Sequence, residues 1–177
     1  MSDDERQVVS AKKDVVSEIR QACFHFADLY FHFSRVLIDE LGYEKGRALI
    51  EKAVRNRAVE RGERLRKRAI EQNLPLTLET WAKITDIPFR GWDKSLGRMC
   101  CPYATAWLPR FEENPWFREI AELYCNVNDP QVTETFTGNT SQRITRNVLR
   151  GDETCEREYF PAPGSCSGQQ AHSQGKP

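Results

Sequence analysis

With 177 residues and a mass of 20.5 kDa, the chain can build one hydrophobic core but not two catalytic domains. Its 26 Lys and Arg cancel its 26 Asp and Glu, a balance that argues against nucleic acid or an anionic membrane as partner. Mean hydropathy is -0.66, no apolar run nears the ~20 residues of a bilayer span, and the start Met1-Ser2-Asp3-Asp4-Glu5 is unlike a leader segment, so a soluble cytoplasmic protein is expected.

Residues from about 10 to 41 read as one long helix, with the first ten residues frayed. Val16, Ile19, Cys23, Phe26, Tyr30, Phe33 and Leu37 recur at spacings of three and four, and Ala22, Leu29 and Val36 widen that stripe. A stripe this wide leaves room for a homodimer. The opposite face carries His25, Asp28 and His32, which read as solvated, and Gly42 closes the helix. A second helix follows over about 43–72, with an interruption expected at Gly62. Residues 45–68 hold ten Lys and Arg against three acids, whereas 112–136 hold six acids against one Arg. Two solvated faces are the simplest reading of these charge runs; the other is that they face each other.

Residues 76–98, with Trp81, Ile84, Ile87, Phe89 and Trp92 broken by Pro88 and Gly91, predict one or two short strands. Asn114-Pro115 predicts a helix start, with Phe117, Ile120, Ala121 and Tyr124 inward. Asp129-Pro130 repeats that signal for a separate shorter helix ending at Gly138. Residues 142–149 and 154–160 form a hairpin about the turn 150–153. From 161 onward there is no Val, Ile, Leu, Met or aromatic residue, which predicts a disordered tail beyond a single domain of residues 1–160.

A symmetric hairpin turn would place Ile144, Arg146, Val148, Cys155, Arg157 and Tyr159 on one inward face, with Arg146 directly opposite Arg157. Like charges so opposed are destabilising unless an anion lies between them, and arginine forks suit a carboxylate. A register shifted by one, or an internal carboxylate, would remove that requirement.

The cysteines stand at 23, 100, 101, 125, 155 and 166. Cys101, Cys125 and Cys155 lack the close pairing of zinc knuckles, so no metal site and no cofactor are expected. Cys101 precedes Pro102 at the start of a short helix, where unsatisfied N–H groups favour a thiolate and hence a nucleophile. The alternative is that all three are small core residues.

The chain carries Cys101-Pro102-Tyr103-Ala104, then Leu123-Tyr124-Cys125 with Asp129 behind it, then Gly151-Asp152-Glu153-Thr154-Cys155. In this order the motifs resemble the L-2-amino-thiazoline-4-carboxylic acid hydrolase family over about residues 15–160. That family is similar in outline to four-vinyl-reductase-type ligand-binding domains. The resemblance implies an α+β fold, with long N-terminal and shorter helices packed on a small antiparallel sheet that includes the C-terminal hairpin. It implies a hydrolase opening a carbon–nitrogen bond in a small cyclic amidine- or amide-like compound bearing a carboxylate. Cys101 would then be the nucleophile beside Cys125 and Cys155, and Asp129 would orient or deprotonate a water or the thiol. Arg146 and Arg157 would hold the anion, with Tyr103 and Tyr124 beside the substrate. The alternatives are a non-enzymatic ligand- or metal-sensing module and a scaffold with a cysteine-rich core.

Overall fold

The computed structural model describes residues 3–87 and 89–162, with residues 3–14, Lys94 and Arg98 in the backbone alone. The predicted tail after residue 162, with Cys166, lies outside the described residues. The architecture is α+β: helices α1 (Asp3–Leu41), α2 (Tyr43–Glu71), α3 (Leu78–Ile84), α4 (Pro102–Trp107) and α5 (Phe117–Thr137), then strands β1 (Thr140–Arg146) and β2 (Glu156–Pro161). The strands form a two-stranded antiparallel sheet. Among the described residues no helix is long and apolar enough to cross a membrane.

The α1 helix starts at Asp3 rather than about residue 10. Gly42, at φ 77°, turns the chain between α1 and α2, and its N–H donates to the Ile38 carbonyl at 2.9 Å. That backbone conformation strains any residue with a Cβ. The stripe that α1 buries differs from the expected one. Cys23, Ala27, Phe31 and Ser34 are buried, whereas Leu29, Phe33 and Val36 are 56%, 64% and 58% exposed.

The main core joins Ala27 and Phe31 of α1 to Ile50 and Val54 of α2, Trp107 of α4, and Phe117, Ile120 and Tyr124 of α5. Two bonds fix its polar atoms: Trp107 Nε1 donates to the Ala27 carbonyl at 2.9 Å, and the Tyr30 hydroxyl donates to that of Ile120 at 3.0 Å. A smaller cluster of Ala58, Leu65, Ala69, Val132 and Phe136 holds α2 to α5.

Three expectations are corrected. The α2 helix runs through Gly62 without a break. A Cβ there would come within 2.6 Å of Thr135 Cβ, so the glycine serves close approach of α2 to α5. Residues 76–98 contain no strand. Thr77 Oγ1 accepts from the Thr80 N–H at 3.2 Å and starts α3, and short 3-10 turns follow at Phe89–Gly91 and Lys94–Cys100. The two helices expected after residue 115 are one, because α5 carries Pro130 inside it. Asn126, whose carbonyl loses its partner to that proline, is exposed and can be hydrated. Gly138 caps α5 in the left-handed conformation, as expected, its N–H donating to the Glu134 carbonyl at 2.8 Å.

The opposite-sign runs of α2 and α5 do face each other. Arg47 pairs with Glu119 at 2.7 Å, Arg57 donates to Asn128 Oδ1 at 2.9 Å, and Arg66 to the Phe136 carbonyl at 2.8 Å. The contacts are mainly hydrogen bonds to neutral acceptors.

Candidate functional site

A cavity of about 430 Å³ lies between α2, α4, α5 and the hairpin, within the ~300–1,000 Å³ of small-molecule sites. Periodicity delivers its walls. On α5, Tyr124, Cys125, Asn128 and Asp129 share one face at helical spacing, and on β2 and the residue before it Cys155, Arg157 and Tyr159 alternate inward. Cys101 caps α4, and Tyr103 and Trp107 follow from that helix. Gln142 and Ile144 of β1, Asn147 of the connection and Trp81 of α3 complete the parts used below. Cys101, Cys125, Cys155, Asp129, Arg157, Tyr103 and Tyr124 therefore come together as expected, and Arg146 does not.

The hairpin explains Arg146. Val148 and Leu149 are buried in the core, and they pull the chain out of the strand into a 3-10 turn at Val148–Arg150. Asn147 Oδ1 caps that turn by accepting from the Leu149 N–H at 3.0 Å, and Asp152 accepts from the Asn147 N–H at 2.7 Å. The ladder is irregular between Ile144 and Arg146, so Ile144 lies opposite Arg157 and Arg146 opposite Glu156. The predicted pair of opposed arginines is thus corrected. Arg146 points its guanidinium at Glu156, 3.3 Å away, and at Asp152, 3.7 Å away. Arg157 donates through Nη2 to Asp129 Oδ2 at 2.6 Å and through Nε at 3.2 Å. Both forks are engaged by the protein's own acids rather than opposed to each other. Asp129 also accepts from Asn128 Nδ2 at 3.0 Å, which fixes its other oxygen.

The thiols are held neutral. Burial pushes Cys101 up from 9.0 to about 11, although the Tyr103 and Ala104 amides at the start of α4 pull it down. The helix start predicted for Cys101 is present and pulls toward the thiolate, but desolvation outweighs it. Burial raises Cys125 further, and the Asp129 carboxylate adds to the effect. Cys155 is raised by burial as well, against the Val148 amide and the Arg157 charge. Its thiol lies 3.8 Å from Asn147 Oδ1, as donor. Burial likewise lifts the Tyr103 phenol, and Tyr124 to about 12. Cys101, Cys125 and Cys155 perturb one another's titration, as close neighbours do. Among the described residues no group of three His, Cys, Asp or Glu could hold a metal ion.

Three buried side-chain atoms among the described residues lack a hydrogen-bond partner: Trp81 Nε1, Gln142 Oε1 and Asn147 Nδ2. All three belong to residues of the cavity wall. None of them sits in a motif. The one available signal was Asn147 itself, because Asn is depleted in strands and favours turns. No known protein family, curated protein or solved structure matches this chain.

Proposed function

We propose that the protein is a hydrolase that opens a carbon–nitrogen bond in a small cyclic amide- or amidine-like compound. The resemblance to the L-2-amino-thiazoline-4-carboxylic acid hydrolase family implies this reaction. The observation that carries it is the convergence on one cavity of Cys101 from the start of α4, Cys125 and Asp129 from α5, and Cys155 from beside β2. Cys101 is the nucleophile of the proposal, since two amides of α4 act on its sulfur in the sense that favours negative charge. In the reaction its proton is removed as sulfur adds to the electrophilic ring carbon. The carbon–nitrogen electron pair then leaves on nitrogen, which takes up a proton. Water next cleaves the carbon–sulfur bond, giving the ring-opened acid or urea and returning the thiol. Asp129, fixed by Arg157 and Asn128, orients that water.

A non-enzymatic ligand-binding module is the second reading, favoured by the neutral state of all three thiols. One set of variants separates the two. With a panel of cyclic amides and amidines that includes 2-amino-thiazoline-4-carboxylate, Cys101→Ser should abolish turnover while ligand binding stays near that of the parent. A Cys155→Ser protein that is dead beside an active Cys101→Ser protein would move the nucleophile to Cys155. Absence of turnover in the parent across the panel favours the binding module.

The pH dependence follows from burial. Thiolate at Cys101 is scarce at neutral pH and grows about tenfold per pH unit until the pH nears the thiol's own value. Alkylation of Cys101 by iodoacetamide should therefore accelerate from pH 7 toward about 11. A rate that is already level at neutral pH would show a thiolate in the resting protein.

A further inference from the structure

The charged groups that line the cavity are Arg61, Asp129 and Arg157, and each is already paired. Arg61 donates from Nε to Asp86 Oδ1 at 2.8 Å, with Nη2 2.7 Å from the same oxygen. Arg157 and Asp129 hold each other. Among the described residues no Lys, His or Glu contributes to the lining. The unpartnered polar atoms on residues of its wall are neutral: the indole N–H of Trp81, an N–H of the Asn147 amide and the Gln142 carbonyl. Gln142 is 5% and Asn147 1% exposed, so bulk water does not readily serve them.

Their polarity is fixed to different degrees. Asn147 must turn Oδ1 toward the Leu149 N–H, so it can present only its NH2. Gln142 is bonded through Nε2 to the Thr133 hydroxyl at 2.9 Å, which leaves its carbonyl. Trp81 can only donate. The unspent set is thus two donors and one acceptor, set among flat aromatic walls. Tyr103 and Trp107 stack at 5.6 Å and 28°, and Tyr124 meets Tyr103 edge-on at 5.7 Å.

We infer that the cavity binds an uncharged, planar ring whose edge carries a carbonyl beside an N–H, as in a lactam, a cyclic urea or a hydantoin. In number, the carbonyl's two lone pairs match the two donors, and the N–H matches the one acceptor. A carboxylate-bearing ligand would bury a charge with no free counterion, which is costly. This rests on reading the cavity as the small-molecule site of the proposed hydrolase, and it replaces the anionic substrate expected from the sequence with a neutral one.

The test measures binding to the full chain carrying Cys101→Ser, so that turnover cannot interfere. Calorimetric titrations use hydantoin, 2-imidazolidinone and 2-pyrrolidinone, with 5-oxoproline as the carboxylated counterpart of the last. At least one neutral ring should bind in the millimolar range, up to ~10 mM, as ligands this small do, and 5-oxoproline at least ~10-fold more weakly than 2-pyrrolidinone. Gln142→Met, which deletes the free carbonyl together with the bond to the Thr133 hydroxyl, should weaken binding ~10-fold. Trp81→Phe, which keeps the ring and deletes only the N–H, should weaken binding too, and it reads the same site if Gln142→Met fails to fold. The inference is overturned if 5-oxoproline binds more tightly than 2-pyrrolidinone, or if no neutral ring binds at ~10 mM. It is equally overturned if neither variant alters binding. Neutral rings that bind a protein with no hydrolytic activity would sink the hydrolase reading alone. Turnover of 2-amino-thiazoline-4-carboxylate with no binding of neutral rings would sink this inference alone.

Discussion

Arg157 places Nη2 and Nε on one oxygen of Asp129, and both residues are largely sheltered, with 35% and 23% of their side chains exposed. Removing the guanidinium strands a carboxylate in the cavity wall. Arg157→Met should therefore cost ~1–3 kcal/mol of stability in urea titration, the scale of a lost bond to a charged group. Arg146 faces Glu156 at the surface, where 47% and 52% of the two side chains are exposed. Arg146→Met should cost less than ~1 kcal/mol. Equal costs would mean that the Asp129 pair does not brace the wall. The sequence made these two arginines look alike because strand parity was read as unbroken from Ile144 to Val148. Parity held on the C-terminal strand, where Cys155, Arg157 and Tyr159 do face inward. It failed where Val148 and Leu149 left the strand for the core, a tertiary demand that alternation does not encode.

Helices show the same division between local and tertiary control. The long periodic segments were legible: Gly42 and Gly138 end α1 and α5 at positive φ, as their positions predicted. Breakers inside helices were misread. Gly62 costs α2 some intrinsic propensity, but it lets α5 approach within contact of Thr135. Gly62→Ala improves propensity and drives a methyl into Thr135 Cβ at 2.6 Å. The clash should win, with a net loss of ~1–3 kcal/mol in chemical denaturation, the scale of an overpacked core. A more stable Gly62→Ala protein would show that the helices can part without loss. Aromatic density in 76–98 suggested strands, yet Thr77 and Asp93 each cap a helical turn, and among the described residues there is no third strand to pair with. Short polar caps outranked composition there.

Across the molecule, charge runs that looked like two solvated faces became one contact, because α2 and α5 both needed a partner for an apolar stripe. Buried Ala58, Leu65 and Ala69 bring the helices together, and the arginines then find acceptors on α5. Two of the three cysteines stand at element boundaries, Cys101 at the start of α4 and Cys155 beside β2, whereas Cys125 lies inside α5. Their electrostatics were not legible in the sequence. The helix start at Cys101 is a local feature, whereas its desolvation depends on the hairpin laid over it, which only the assembled chain supplies.

That hairpin has a kinetic consequence. Every residue of β2 keeps exposed surface, and the strand is held by its ladder with β1, by the surface pairs Arg143–Glu158 and Arg146–Glu156, by the Ala162 N–H on the Asn139 carbonyl, and by Arg157 on Asp129. An isolated two-stranded hairpin is marginal in water. Lifting β2 would therefore be the cheapest way to open the cavity, far short of global unfolding. A ligand larger than the mouth could then enter by transient detachment of the strand, at a rate set by the protein rather than by the ligand's size. Amide hydrogen exchange should show it: β2 exchanging faster than α2 and α5, and faster still in the Arg157→Met protein. Protection in β2 equal to that of α5 would mean that the last strand leaves only when everything else does.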